Sequence, residues 1–533
     1  MARQPALAAG PGEVFFAGVD GHAQLPQLAV GAGDLDANGM CHGSNCGERA
    51  LPRHDADQAG EGGRSAKYFR MSATTTISPE LLRRFDMAGP RYTSYPTADR
   101  FVDAFAAPQY EQALAQRRDG PAASSRPLSL YVHVPFCESL CYYCACNKII
   151  TRHHERGQAY LRYLQLEVEL HAAVLGTGQA VSQVHLGGGT PTFLSDAELA
   201  QLMAMLRRSF AIAPGAECSI EIDPRTVDGI RLQALADLGF NRVSFGVQDF
   251  DPQVQKAVHR IQPAEQVFAL VAQARSVGFE SINVDLIYGL PRQTPESFAH
   301  TVAQVSQLRP DRIALYAYAH LPERFKPQRR IVPAELPGAA DKVSMLGQAL
   351  AAFQACGYVY VGMDHFALPG DPLAVAKRQG RLHRNFQGYS TQPDCDLIGL
   401  GVSAIGRVGS TYSQNAKTME EYCNHLDQGR LPVVRGLSLT RDDLARRAVI
   451  MALMCQGEVV FEAIETAWLL DFRSAFAPEL EHLQQLQEQG LVSIDAAGVQ
   501  VTDEGWFFVR AVAMVFDRYL QADRSRARFS RIL

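Results

Sequence analysis

The stretch Tyr131-Val-His-Val-Pro-Phe-Cys137-Glu-Ser-Leu-Cys141-Tyr-Tyr-Cys144-Ala-Cys146-Asn147 puts four of the chain's eleven cysteines within ten positions, directly after an apolar run of strand character. The first three stand as C-x3-C-x2-C. Three thiolates at that spacing on one loop can converge on a single metal centre and leave a fourth position open, which suits an iron-sulfur cluster with one unligated iron. A structural zinc site would draw paired C-x2-C halves from two separate places, and no second half is evident. Disulfides are the weakest reading, because nothing else marks the chain as secreted.

Outward from this loop, the chain alternates short apolar runs with longer amphipathic ones. The strand candidates are LSLYVHV (128–134), QVHLG (183–187), CSIEI (218–222), RVSFGV (242–247), INVDLI (282–287) and RIALYAY (312–318). Helical stretches such as DAELAQLMAMLRRSF and AEQVFALVAQARSVG lie between them. That alternation implies parallel strands with crossover helices, and six units predict an α/β fold, an open or partial (β/α)6 barrel over 128–435. Chemistry in such folds gathers at the C-terminal ends of the strands. There stand GGGTP (187–191), Glu221, Gln248 and Asp285, with Arg260 in a nearby helix end or loop. Glycines let a ligand approach the backbone, and their amides can meet a carboxylate; an acid at a strand end can hold an ammonium group. Each alone would serve as an ordinary turn, cap or ion-pair partner. Together, on successive strand ends beside a cluster loop, they predict a binding site.

The flanks differ in character. Residues 1–75 are rich in Gly, Ala, Asp and Gln without sustained periodicity and read as a disordered extension; Cys41 and Cys46 lie there without a partner pair, and Met71 is a candidate start. Residues 76–127 hold GPRYTSYPTADRF (89–101), an aromatic and basic loop suited to covering a flat anionic substrate. Residues 436–533 read as a mainly helical C-terminal domain with one short hairpin at VSIDAAGVQVT. Helix, hairpin and helix also describe a winged helix, but no basic stripe supports DNA binding, so a packing domain is expected. With 47% hydrophobic and 20% charged residues and a net charge of -5, the composition is that of a globular protein without a polyanion as main partner. No uncharged apolar run approaches the roughly 18 residues a membrane span needs, and reduced thiols point to the cytoplasm.

The cysteine spacing, with aromatic Tyr143 just before the third thiol, resembles the radical S-adenosylmethionine (SAM) superfamily. A narrower resemblance runs from about residue 80 to the C-terminus in matching order. RYTSYPTA, YVHVPFCESLCYYCACNK, HLGGGTPTFL, SIEIDPR, FNRVSFGVQDF, NVDLIYGLPRQTPESF, YAHLP, GMDHFALP, LHRNFQGYST and LTRDD are similar to segments of the oxygen-independent coproporphyrinogen III oxidase family. The resemblance implies anaerobic oxidative decarboxylation of two propionates of coproporphyrinogen III to vinyl groups, giving protoporphyrinogen IX in haem biosynthesis. A SAM-derived 5'-deoxyadenosyl radical takes the hydrogen from each propionate.

It also implies one 4Fe-4S cluster on Cys137, Cys141 and Cys144, and two SAM molecules. Tyr131, Gly188, Glu221, Ala319 and Ile405 match the positions around the first SAM; Tyr143, Gly189, Thr190, Gln248, Arg260 and Asp285 match those of the second. Tyr143 stands where Phe is common and keeps the stacking ring. Cys146 extends the pattern to C-x3-C-x2-C-x-C without ligating iron, because SAM takes the fourth corner; Cys146 and Tyr143 are the catalytic candidates. Arg91 and Arg384 are candidates for pairing the propionates through two parallel hydrogen bonds. The implied partners are coproporphyrinogen III and a low-potential electron donor such as a flavodoxin or ferredoxin, with no nucleic acid, no membrane and a monomeric state. A haem-binding or haem-delivering relative without this activity is the alternative. Such relatives typically lack Cys146, the RYTSYPTA segment and the Arg260 context, all present here.

Overall fold

Strand β1 (Leu128–Val134) is buried on both faces apart from Tyr131, as a central parallel strand must be. Parallel to it and in sequence order follow β2 (Gln179–Gly188), β3 (Phe210–Ile222), β4 (Arg242–Gln248), β5 (Ser281–Tyr288) and β6 (Arg312–Ala317). The crossovers run through α1 (Glu155–Leu175), α2 (Asp196–Ser209), α3 (Gly229–Asp237), α4 (Ala264–Ser276) and α5 (Pro295–Leu308). Three of these helices begin at a side-chain oxygen that accepts an otherwise free amide: Ser195 from Glu198, Asp228 from Arg231 and Thr294 from Ser297. Each such cap contributes about 1 kcal/mol, so several strand-to-helix transitions are written locally.

The computed structural model describes residues 79–85, 87–120 and 126–522, so the expectations for residues 1–75, Cys41, Cys46 and Met71 lie outside the described residues. The six-stranded α/β unit read from the sequence is there, and it is the middle of a longer sheet. Beyond β6 lie the short antiparallel strands β7 (Val359–Gly362) and β8 (His365–Ala367), and beyond β1 lie β9 (Asp396–Leu400), β10 (Ile405–Val408), β11 (Thr411–Asn415) and β12 (Val433–Ser438). The twelve strands run β12-β11-β10-β9-β1-β2-β3-β4-β5-β6-β8-β7. Only β9 continues the parallel pairing, with Leu128 opposite Asp396 and Val132 opposite Leu400. Strands of three to six residues next to turns carry too little periodicity to be read from sequence, which is why the outer strands were not foreseen.

The 89–101 segment does not lie on the surface as a loose loop. Tyr92 and Tyr95 are fully buried, and Val102 exchanges backbone hydrogen bonds with Gly436 in β12. After β12, helix α6 (Arg441–Gln456) starts at a reciprocal Thr440–Asp443 cap. The hairpin expected near residue 495 is β14 (Val492–Ile494) with β15 (Gly498–Val501), and it gains a third strand, β13 (Glu458–Val460). A single cluster of buried apolar side chains reaches from Phe85 through the barrel strands to Phe516, joining the C-terminal helices to the sheet. Among the described residues no helix is long and apolar enough to cross a membrane.

Candidate active site

Two adjoining cavities open at the C-terminal ends of the parallel strands. One, about 420 Å³, is lined by Cys137, Cys141, Cys144 and Cys146 together with Tyr143, Gly189, Thr190, Gln248 and Arg260. The other, about 530 Å³, runs along the barrel interior past Tyr131, His185 and Ile405. Cys146, Gly188, Glu221, Ser244, Asp285 and Tyr316 line both. Each volume suits a ligand of cofactor size.

The cysteine loop leaves β1 through Pro135 and is pinned on both sides. Ile149 N–H donates to Pro135 O at 2.7 Å, Thr151 N–H to Cys137 O at 2.9 Å, and Lys148 Nζ to the carbonyls of Cys144 and Cys146 at 3.1 and 3.3 Å. The thiols themselves face donors. Thr190 Oγ1 reaches Cys137 Sγ at 3.4 Å, and Arg225 Nη2 and Arg260 Nη1 each reach Cys141 Sγ at 3.5 Å. Two guanidiniums beside a sulfur stabilise the anionic thiolate a cluster requires. Asp223 holds both in place, accepting from Arg225 Nη2 at 2.6 Å and Arg260 Nη1 at 3.1 Å. Burial alone would raise the Asp223 carboxyl, yet these two charges hold it below the usual range.

Among the described residues no three His, Cys, Asp or Glu side chains are arranged around one ion. The thiolates of a four-iron cluster bind separate corners, so they need not meet at a point, and the loop fits that group. Cys146 has a different setting from the other three. It is exposed, it lines both cavities, and its carbonyl accepts from Lys148 Nζ.

Glu221 ends β3 at the wall between the cavities. Its Oε1 meets His185 Nε2 at 3.2 Å and its Oε2 accepts from Gly188 N–H at 3.1 Å; against the upward push of burial, these bonds keep the carboxyl ionised. Tyr131 stacks on His185 with ring centroids 5.8 Å apart and bonds His133 Nδ1 at 3.1 Å, fixing a row of rings across β1 and β2. Gly188 has φ +113°, and a Cβ there would sit 2.6 Å from the His133 ring. A Cβ on Gly189 would sit 2.7 Å from Phe136 O. The run of glycines is therefore required by close backbone approach, beyond any ordinary turn. Asp285, hydrogen-bonded by Ser244 and Asn283 at 3.0 and 2.8 Å, is pushed up to about 6 by burial and the Glu221 charge. Gln248 has φ +69°, and its Oε1 is buried without a hydrogen bond while the residue lines the cluster cavity. An orphaned acceptor at that point fits a ligand that carries donors.

The six positions matched to a second SAM all line the cavity that carries the cysteines. Of the five matched to a first SAM, Gly188 and Glu221 line both cavities, and Tyr131 and Ile405 line the interior one. Ala319 lines neither. Its carbonyl accepts from Gln328 Nε2 at 3.1 Å, and the same nitrogen holds Tyr143 O at 3.0 Å. Arg91 and Arg384 do not line these two cavities. Arg91 is ion-paired with Asp364 and lies 5.0 Å over the Tyr316 ring; Arg384 lies 4.6 Å over the Tyr389 ring and donates to Arg91 O at 3.1 Å. The half-exposed Arg91 and the buried Arg384 and Arg510 form a cationic group beside Tyr316, His365 and Tyr389. Burial and the Arg384 charge pull Arg510 down to about 10, and burial with Arg384 and Arg91 pulls His365 down to about 3. Arg384 Nη1 has no hydrogen bond.

Sequence reasoning missed the guanidiniums that do line the interior, Arg242 and Arg312, which pair with Glu217 and Asp371. Both stand at strand starts, the end opposite to where function was sought. It also missed His185, Asp223 and Arg225, whose only signal was their place within two or three residues of a strand end.

Comparison with known proteins agrees with this geometry. Residues 131–305 match the family model described as the radical SAM superfamily, and residues 439–508 match the HemN C-terminal domain. An oxygen-independent coproporphyrinogen III oxidase of Pseudomonas aeruginosa is 50% identical over 87% of this chain and 100% of its own length. The protein of that name from Escherichia coli is 48% identical over 85% of this chain and 98% of its own. A solved structure described as coproporphyrinogen III oxidase (HemN) from Escherichia coli, a radical SAM enzyme, superposes with a TM-score of 0.79 at 47% identity and covers 84% of this chain and 100% of that one. The chain belongs to the oxygen-independent coproporphyrinogen III oxidase family of radical SAM enzymes.

Proposed function

We propose that this protein converts coproporphyrinogen III to protoporphyrinogen IX by oxidative decarboxylation of two propionates, using a 4Fe-4S cluster and SAM. The observation that carries the reading is the convergence of Cys137, Cys141 and Cys144 with Glu221, Gln248, Arg260 and Asp285 on one cavity. When bound, the cluster and SAM supply one-electron chemistry and a hydrogen-abstracting radical. The residues supply position and charge. Arg225, Arg260 and Thr190 stabilise the ligand thiolates; the ionised Glu221 and the Gly188–Gly189 backbone receive the amino and carboxylate ends of an amino acid group.

Two SAM molecules rather than one are favoured by two adjoining cavities of about 420 and 530 Å³ and by the unsatisfied Gln248 Oε1. The positive field of Arg91, Arg384 and Arg510 favours the substrate's propionates, and Arg312, whose Nη2 is buried without a hydrogen bond, is a direct candidate on the cavity wall. We further infer a cytoplasmic monomer reduced by a low-potential donor of the flavodoxin or ferredoxin kind, because thiolate clusters need a reducing compartment. The test is an anaerobic assay with SAM, dithionite and coproporphyrinogen III. Wild type is expected to give divinyl product and Cys144→Ser none above background; equal turnover in both sinks the reading.

A further inference from the structure

The cluster loop must receive electrons from outside, and one outer face of it carries a built surface that the reaction itself does not use. Tyr142, between ligands Cys141 and Cys144, stacks flat on exposed His259, with centroids 5.1 Å apart and an interplanar angle of 9°. Arg330 covers the Tyr142 ring at 5.3 Å. The stack is tied to the loop by two hydrogen bonds: Tyr142 N–H donates to Val258 O at 3.0 Å, and His259 Nδ1 meets Leu140 O at 2.9 Å. Beneath them Val254, Val258 and Ile331 form a small apolar cluster with Tyr142 and Tyr143, so the surface packs directly on the ligand loop.

The rim is basic. The segment Glu323-Arg324-Phe325-Lys326-Pro327-Gln328-Arg329-Arg330 exposes four cations and one acid, and Lys256 is exposed on the turn before His259. Buried Gln328 anchors this segment, donating to Tyr143 O at 3.0 Å while accepting from Leu321 N–H at 2.6 Å. Among the described residues Lys256, Lys326, Arg329 and Arg330 have no carboxylate partner. Lys417 extends the patch at the other end of the loop, where its carbonyl accepts from Asn147 Nδ2 at 3.1 Å. In a chain of net charge -5, this concentration of positive charge is local and not a general property of the surface.

We propose that the Tyr142–His259 stack and its rim of Lys256, Lys326, Arg329 and Arg330 form the docking face for an acidic, low-potential one-electron carrier protein. The step is a single electron transfer: the carrier loses one electron, the oxidised cluster gains it, and no bond forms or breaks. Opposite charge steers encounter, while a small, partly aromatic contact next to the redox centre allows rapid release, as in other transient redox pairs. The inference rests on the cluster assignment made under the proposed function.

The test uses the reconstituted full chain with reduced flavodoxin as probe. Three measurements are made on wild type and on the triple variant Lys256→Glu, Lys326→Glu, Arg329→Glu: flavodoxin affinity by calorimetry, the second-order rate of cluster reduction by stopped flow, and turnover driven by dithionite. The variant is expected to bind flavodoxin at least about tenfold more weakly and to be reduced by it roughly ten- to a thousand-fold more slowly at low salt. Its dithionite-driven turnover is expected to equal wild type, which also shows that it folds. In wild type the flavodoxin rate is expected to fall steeply with ionic strength. Flavodoxin affinity and rate unchanged within twofold in the variant, or a wild-type rate independent of salt, overturns the docking face. Absence of divinyl product with dithionite in wild type sinks the reaction reading instead, and leaves the affinity and reduction measurements to decide the docking face on their own.

Discussion

At Gly189 a single methyl group decides whether the site can form. A Cβ there meets Phe136 O and the Pro135 carbonyl carbon at 2.7 and 2.8 Å, and both are backbone atoms of the segment that leads into Cys137. Gly189→Ala must therefore push the cysteine loop outward. The expected outcome is a loss of about 1–3 kcal/mol in thermal or urea unfolding, together with lowered iron and sulfide content after anaerobic reconstitution. Asp285 makes a separate prediction. Its carboxyl is raised from 3.8 to about 6, so through that window the folded chain holds a proton that the unfolded chain has lost. The resulting penalty is absent well below pH 4 and complete above about pH 6. A shift of two units corresponds to about 3 kcal/mol, and water in the cavity reduces this. Asp285→Asn is expected to stabilise the cofactor-free protein by about 1–2 kcal/mol at pH 8 and not at pH 4, measured as the difference in unfolding free energy, while weakening SAM binding. No pH dependence in that difference would refute the assignment.

Between elements, the most consequential contact is made by Glu167 on α1. It is 0% exposed, and its carboxylate accepts from Gly401 N–H at 2.7 Å, Asn415 Nδ2 at 2.6 Å and Tyr422 Oη at 2.6 Å. These bonds tie a crossover helix to the turn between β9 and β10, whose residues Ser403 and Ala404 line the interior cavity together with Ile405 of β10. Burial pushes Glu167 up to about 7, and the three donors pull against that rise. Glu167→Ala leaves three buried donors unsatisfied and is expected to cost roughly 3–5 kcal/mol by urea denaturation. It is also expected to raise the SAM dissociation constant severalfold. A loss below about 1 kcal/mol would mean that water replaces the carboxylate. None of this was legible in the chain: Glu167 sits mid-helix in a sequence of ordinary amphipathic pattern, and its partners are 234 to 255 positions away.

Across the whole molecule, the C-terminal region grips the first described segment. Tyr92 Oη donates to Asp517 at 3.0 Å, Arg510 donates to the carbonyls of Gly89 and Pro90, and Arg100 Nη2 donates to Tyr519 O at 3.2 Å. Between those anchors stands Arg91, ion-paired with Asp364 against the Tyr316 ring of the cavity wall. Tyr92→Phe removes one donor from a buried carboxylate and is expected to cost about 1–3 kcal/mol. Because the anchor sets Arg91 and not the SAM residues, KM for coproporphyrinogen III is expected to rise severalfold with SAM affinity unchanged, read by steady-state kinetics and calorimetry. Equal losses in both would show that the segment supports the barrel as a whole.

The chain by itself determined what depends on local order: the three-cysteine loop, six strand–helix repeats with their capping residues, the glycines at a strand end, and the acids on successive strand ends. Period-2 and period-3.6 burial and the reach of one short loop are properties of neighbouring residues, so they can be read in line. Tertiary structure alone decided which charges meet. Arg91 and Arg384 pack on the Tyr316 and Tyr389 rings while Arg242 and Arg312 line the interior cavity, because a side chain's target depends on sheet order and not on spacing. The short edge strands β7 to β12 exist because β1 and β6 offered unpaired backbone groups to whichever segment could reach them. The Tyr142 surface likewise exists only where residues 256–259 and 324–330, remote in sequence, close over the cysteine loop.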